Sequence, residues 1–154
     1  MIIRKILPAL LLVLSVSKIS FAQKSPEDII NKFFDLYSKE SSDKAIDYLF
    51  ATNKYAKDNQ EAIDQLKSNL KSILAVDGPF WGYDLLWKKM AGENFIMLTL
   101  LVKHDRDPLT FRIVFYKPHN EWQVQNFKFD NKMDDELEEA SKVTSLKTTS
   151  NRAN

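Results

Sequence analysis

The chain predicts an α+β fold: three N-terminal helices packed on a strongly bent, four-stranded antiparallel meander. Three observations carry that expectation. Apolar residues recur at helical spacing as far as Leu74 and at alternating spacing from Tyr83 onward. The connections between the alternating segments are short, which makes neighbouring strands antiparallel. In the last segment, NEWQVQNFKFDN, Trp122 and Val124 alternate on one parity and Phe127 and Phe129 on the other. A helical block followed by a strand block is an α+β layout.

The chain has 154 residues, and its beginning reads as an export signal. Arg4 and Lys5 precede a nearly unbroken apolar stretch, Ile6 to Val16, and Ser20-Phe21-Ala22 places small residues at −3 and −1 of a cleavage site. The stretch from Ile6 to Ala22, interrupted by Pro8 and Lys18, is short for a membrane span. The expected division is a signal peptide over 1–22, a folded domain over 23–135, and an acidic, helix-capable segment with a disordered tail over 136–154. Loss of Arg4, Lys5 and Lys18 takes the formal charge from +1 to −2, a poor balance for nucleic acid. The chain has no cysteine, so the domain depends on packing without disulfides. The expected location is periplasmic or secreted, with no membrane association after cleavage.

Each element has its own signal. Ser25-Pro26-Glu27-Asp28 opens the first helix: a capping serine, a proline suited to the first turn, and two acids favoured by the helix dipole. Ile29, Ile30, Phe33, Phe34 and Tyr37 form its apolar stripe. After Ser41-Ser42-Asp43 a short second helix carries Ile46, Leu49 and Phe50, and Thr52-Asn53 ends it. A third helix is expected from Asp58 to Leu74, closed by Asp77-Gly78-Pro79. The first strand starts through Tyr83, Leu85 and Trp87. Phe95 to Val102, Leu109 to Tyr116 and Trp122 to Phe129 follow, separated by turns at Ala91–Asn94, Asp105–Pro108 and Pro118–Glu121.

A tight turn at Asp105–Pro108 sets Phe111 opposite Val102, Ile113 opposite Leu100 and Phe115 opposite Leu98. That face is apolar and suits the helices; Met97, Thr99, Leu101, Thr110, Arg112, Val114 and Tyr116 share the other. A β-bulge at Gln125-Asn126 would return Phe127 and Phe129 to the helix side. The rival explanation of the phase change is a second subunit burying the mixed face.

The order of helices and strands, ending in W-x-V-x-N-F-x-F, resembles the nuclear transport factor two-like superfamily, also called the cystatin-like cone, which implies a cone-shaped domain. Gly78-Pro79-Phe80-Trp81-Gly82-Tyr83, Asp105-Arg106-Asp107-Pro108-Leu109 and Phe115-Tyr116-Lys117-Pro118 before Trp122 look like its uncharacterised exported bacterial members. The likeness covers about Ser25 to Asp135. It implies a pocket between the helices and the concave sheet face, and dimerisation through the sheet in many members. It says little of activity, because the superfamily holds isomerases, dehydratases, cyclases, transport receptors and plain binding modules.

The residues offer no complete catalytic set. The two histidines, His104 and His119, fall at turns and read as solvated. Asp28, Asp35, Asp47 and Asp64 read as a solvated helix face. No hydrolase elbow, metalloprotease motif, Walker loop or Rossmann glycine set occurs. The His104–Asp107 run is too compact to close a metal shell, and the acidic run after Asp130 lacks the glycine of a calcium loop. No catalytic residue, metal site or cofactor is therefore assigned.

The aromatic cluster is the remaining signal. Phe80 reads as core. Trp81, Tyr83 and Trp87, with the amide of Asn126, are the candidate ligand contacts at a cavity rim. Met97, Arg112, Val114 and Tyr116 are the candidate protein interface, used by a partner or by a second copy. The expected function is an exported, non-enzymatic binding domain holding a small apolar ligand in the helix–sheet cavity or a protein on the sheet face. Two alternatives stand beside it. One is an isomerase-, dehydratase- or cyclase-like enzyme with an unusual site; the other is an accessory module of an envelope complex.

Overall fold

A computed structural model describes residues 24–135, 137 and 138. The expected leader and most of the expected tail lie outside the described residues. The order is α1 (Pro26–Lys39), α2 (Ser42–Ala51), a 3-10 turn (Ala56–Asn59), α3 (Gln60–Asp77), β1 (Phe80–Met90), β2 (Phe95–His104), β3 (Leu109–Tyr116) and β4 (Gln123–Asp130). The strands form one antiparallel sheet in chain order, open rather than closed into a barrel. The α+β class holds. The third helix starts and ends later than its apolar stripe suggests, because a 3-10 turn takes its expected first residues.

Helix α1 begins in a capping box. The Ser25 hydroxyl accepts from the Asp28 backbone N–H, and the Asp28 carboxylate accepts from the Ser25 backbone N–H and hydroxyl. Those bonds hold the Asp28 carboxyl below its ordinary pKa. The buried face of α1 lies across the middle of the sheet. Phe33 meets Phe111 and Phe127 edge-on, and Phe34 stacks on Tyr83 with ring centroids 3.9 Å apart. Burying each such ring stabilises the fold by about 1.5–3 kcal/mol. Ala45, Ile46 and Leu49 of α2 and Ile63 and Leu70 of α3 complete the roof.

The apolar sheet face is the one expected, and Leu98, Leu100, Phe111, Ile113 and Phe115 are buried in it. The β2–β3 register differs from expectation by two residues. Phe111 pairs with Leu100, not Val102, and Ile113 with Leu98. The turn is wider than four residues because it is fixed elsewhere. His104 pairs with Phe80 of β1, and the Arg106 N–H donates to the Asp77 carbonyl at the end of α3. A shift of two preserves the faces.

The phase change in β4 is a bulge. Val124 pairs with Phe115 and Asn126 with Val114, leaving Gln125 as the extra residue. Phe127 and Phe129 consequently oppose Ile113 and Phe111 on the helix side. β1 holds two further irregularities, at Trp81 and Leu86. The second sends Trp87 to the face opposite Tyr83, whereas simple alternation would have kept them together.

Candidate functional site

A cleft of about 490 Å³ opens between the 3-10 turn, α3 and the edge of β4. Its existence follows from local chemistry. Thr52 and Asn53, at the end of α2, take both edge-facing backbone groups of Val124. The Val124 N–H donates to Thr52 Oγ1 at 3.0 Å, and the Asn53 amide donates to the Val124 carbonyl at 2.9 Å. Asn53 Oδ1 also accepts from the Tyr55 N–H, which turns the chain into the 3-10 segment. α2 is thereby stapled to the start of β4. Immediately beyond, the bulge carries Gln125 and Asn126, both exposed, past the mouth of the cleft.

The walls are mostly apolar. Phe50, Ile63, Leu66, Val124 and Phe127 line the space, and the small side chains of Ala56 and Ala62 keep it unfilled. The polar residues among the lining are Asn53, Tyr55, Asn59, Gln125, Asn126 and Lys128, the last set opposite Arg112 in the sheet. Asn59 occupies the cap position of α3 without capping it. An apolar floor beneath a few polar groups is the usual make-up of a small-molecule site.

Of the four expected ligand contacts, Asn126 alone lines this cleft. Trp81 is 68% exposed beside the β2–β3 loop, its indole N–H donating to Asp105 at 2.9 Å. Tyr83 is half-buried against Phe34, and its hydroxyl donates to Asn31 at 2.6 Å. Trp87 lies across the sheet on the outer face, opposite Thr99. The other lining residues come from the end of α2, from Asn53 to Asn59, from α3 and from β4. Their one sequence signal was the small alanines interrupting otherwise bulky apolar spacing.

The four expected interface residues share the outer face. Met97 pairs with Val114, and Tyr116 lies opposite Phe95, their rings 6.2 Å apart. Arg112 is ion-paired with Asp130 at 2.5 Å, both half-buried. Thr99 and Thr110 on the same face are buried, Thr110 with no partner for its hydroxyl among the described residues.

A polar cluster also sits under the far end of α1, where His104 was expected to be solvated. The His104 ring is half-buried and both nitrogens are engaged: Nδ1 faces the Gly78 carbonyl at 3.0 Å and Nε2 the Tyr37 hydroxyl at 3.2 Å. A carbonyl only accepts, so Nδ1 carries the proton of the neutral ring and Tyr37 donates to Nε2. Burial first, and then the charge of nearby buried Asp77, hold the Tyr37 hydroxyl well above its ordinary pKa. A phenol so placed is a weak proton donor, which suits a structural tie. The contacts with Tyr37 and Gly78 override the turn position from which exposure was inferred.

The helix acids behave as a solvated face. Asp35 pairs with Lys32 and Lys39, and Asp47 and Asp64 with Lys67. Among the described residues no group of three or more metal-ligating side chains is assembled, and no helix is long and apolar enough to cross a membrane. No protein family, curated protein or solved structure matches the chain.

Proposed function

We propose that the chain is an exported, non-enzymatic binding domain of the nuclear transport factor two-like kind, holding a small apolar ligand in the cleft beside β4. The observation that carries this reading is an apolar-walled space lined also by carboxamides, with no paired acid and base among its described lining residues. Its volume of about 490 Å³ lies in the range of small-molecule sites, roughly 300–1,000 Å³. Tyr37, Asp77 and His104, which form the buried polar cluster, do not line it. The superfamily assignment rests on the motifs around Gly78, Asp105 and Trp122 together with the order of helices and strands. Export rests on the basic, apolar and small-residue layout ending at Ala22.

Native mass spectrometry of the protein after exposure to a cell extract tests the reading. A retained small-molecule adduct, lost when Leu66→Trp fills the cleft, is the expected result. Bare protein from every extract would overturn it. Export is tested by N-terminal sequencing of protein from the host envelope or medium, with Gln23 expected first.

A second reading is favoured by the Phe95–Tyr116 pair beside Met97 and Val114 on the outer face: self-association through the sheet. Analytical ultracentrifugation would then show a dimer that Tyr116→Arg dissociates.

A further inference from the structure

We infer that the cleft takes an extended peptide segment, which pairs with the open edge of β4 at Phe127 and Phe129 and turns alternate apolar side chains into the cleft. The inference rests on reading the cleft as a binding site and names the class of its occupant.

The register leaves that edge open. In β3 the odd-numbered residues bond to β2, and the series ends with the Lys117 N–H donating to the Asn94 carbonyl at 2.8 Å. Arg112 and Val114 therefore bond to β4, and their partners Lys128 and Asn126 turn their backbone groups toward β3. The N–H and carbonyl of Phe127 and of Phe129 consequently face away from β3. The start of the strand agrees. Val124 faces the edge, where Thr52 and Asn53 take both its groups, and the extra residue in the bulge passes that role to Phe127 rather than Asn126. Among the described residues nothing bonds to the edge-facing groups of Phe127 or Phe129.

The cleft follows this edge. Successive residues of β4, Val124 to Lys128, line it, and Phe50, Ala62, Ile63 and Leu66 supply apolar wall from the helices. A fitting occupant offers donors and acceptors at the two-residue spacing of a strand, and apolar groups on one side. An extended peptide does both. The residues opposite Phe127 and Phe129 exchange backbone bonds with them and share their inward face, while the residue between points outward. A plain hydrocarbon fills the apolar space and leaves the edge groups unmatched. The free ladder is short, because Thr52 and Asn53 close it at Val124, so it suits one short segment rather than a growing sheet.

Amide NMR of the labelled protein, titrated with acetyl-Ser-Val-Thr-Val-Ser-amide, tests this. Slowed hydrogen exchange at the Phe127 and Phe129 amides is expected, with shifts at Ala62 and Leu66, and Leu66→Trp should abolish both. The isomer acetyl-Ser-Val-Val-Thr-Ser-amide cannot turn both valines inward and should bind about fivefold weaker. Methylating both valine nitrogens keeps the side chains, removes two donors, and should weaken binding at least about tenfold. Equal binding by the methylated peptide, or shifts in the cleft without slowed exchange at Phe127 and Phe129, would overturn the pairing while leaving the cleft an apolar site. Slow exchange at both amides before any peptide is added would show the edge already occupied and would also overturn it. So would binding that Leu66→Trp leaves undiminished. Silence with all three peptides would overturn the peptide assignment. A small-molecule adduct lost in Leu66→Trp would then keep the cleft a ligand site, and no adduct would remove both.

Discussion

The Tyr37 hydroxyl donates to Nε2 of His104 across 3.2 Å, joining the last turn of α1 to the last residue of β2. The same imidazole holds the Gly78 carbonyl through Nδ1. One ring thus ties three segments that are distant in the chain: α1, the exit of α3, and the β2–β3 loop.

Removing the tie has a signature in pH. Tyr37→Phe should cost about 1 kcal/mol at neutral pH, the worth of one hydrogen bond. Folding raises the Tyr37 pKa, so its contribution is fully present below the unfolded value near 10 and is lost as pH rises through the folded value. Denaturant melts of the wild type should therefore weaken above pH 10, and Tyr37→Phe should flatten that alkaline limb. An unchanged limb would show that the phenol is not held neutral by the fold.

Gly78 should tolerate no side chain. Its φ of 80° and ψ of −162° belong to glycine, and an added Cβ would lie 3.1 Å from the Asp105 Cβ. Gly78→Ala is expected to destabilise by about 1–3 kcal/mol. Thermal melts would check this, with the His104 ring resonances reporting loss of the Gly78 contact.

The extra residue in β4 sets the sheet's inner face. Deleting Gln125 would force Phe127 and Phe129 to the opposite side, and no cooperative melt is expected. Gln125→Ala keeps the count and should stay within about 0.5 kcal/mol of wild type, as exposed changes do. Equal behaviour of the two variants would refute the role of the bulge.

The staple beside the bulge is testable separately. Thr52→Val leaves the N–H of buried Val124 without its acceptor, at an expected cost of about 1–3 kcal/mol. Hydrogen exchange should show the Val124 amide losing protection before the rest of β4.

Thr110 offers the opposite sign. Its hydroxyl is buried without a partner among the described residues, so Thr110→Val, which replaces it with a methyl of similar shape, should stabilise the fold by about 1 kcal/mol. A lower melting temperature would show that the hydroxyl is satisfied in solution.

The residues that were legible in the sequence are those whose burial follows a local period. Ile29 to Tyr37 announced α1, and the clash of parity between Val124 and Phe127 announced the bulge, because one face of a strand cannot hold both without an inserted residue. The β2–β3 register was legible only to parity: a slip of two keeps Phe111 and Ile113 on the same face, so polarity could not separate Val102 from Leu100 as a partner. In β1, the run from Phe80 to Trp87 is apolar on both parities, and the bulges at Trp81 and Leu86 left no trace. The surroundings of His104 depend on Tyr37, 67 residues away. The cleft depends on the volume that Ala56 and Ala62 do not occupy, which no period encodes.

The irregular strands have a bearing on how the molecule behaves in a crowd of its own copies. β1 is interrupted twice, and β4 offers its first edge-facing groups to Thr52 and Asn53 rather than to a neighbour. Neither margin of the sheet presents the straight, uninterrupted ladder that strand-by-strand stacking requires. A chain without disulfides is thus guarded against fibril-like growth by interruptions in its own backbone.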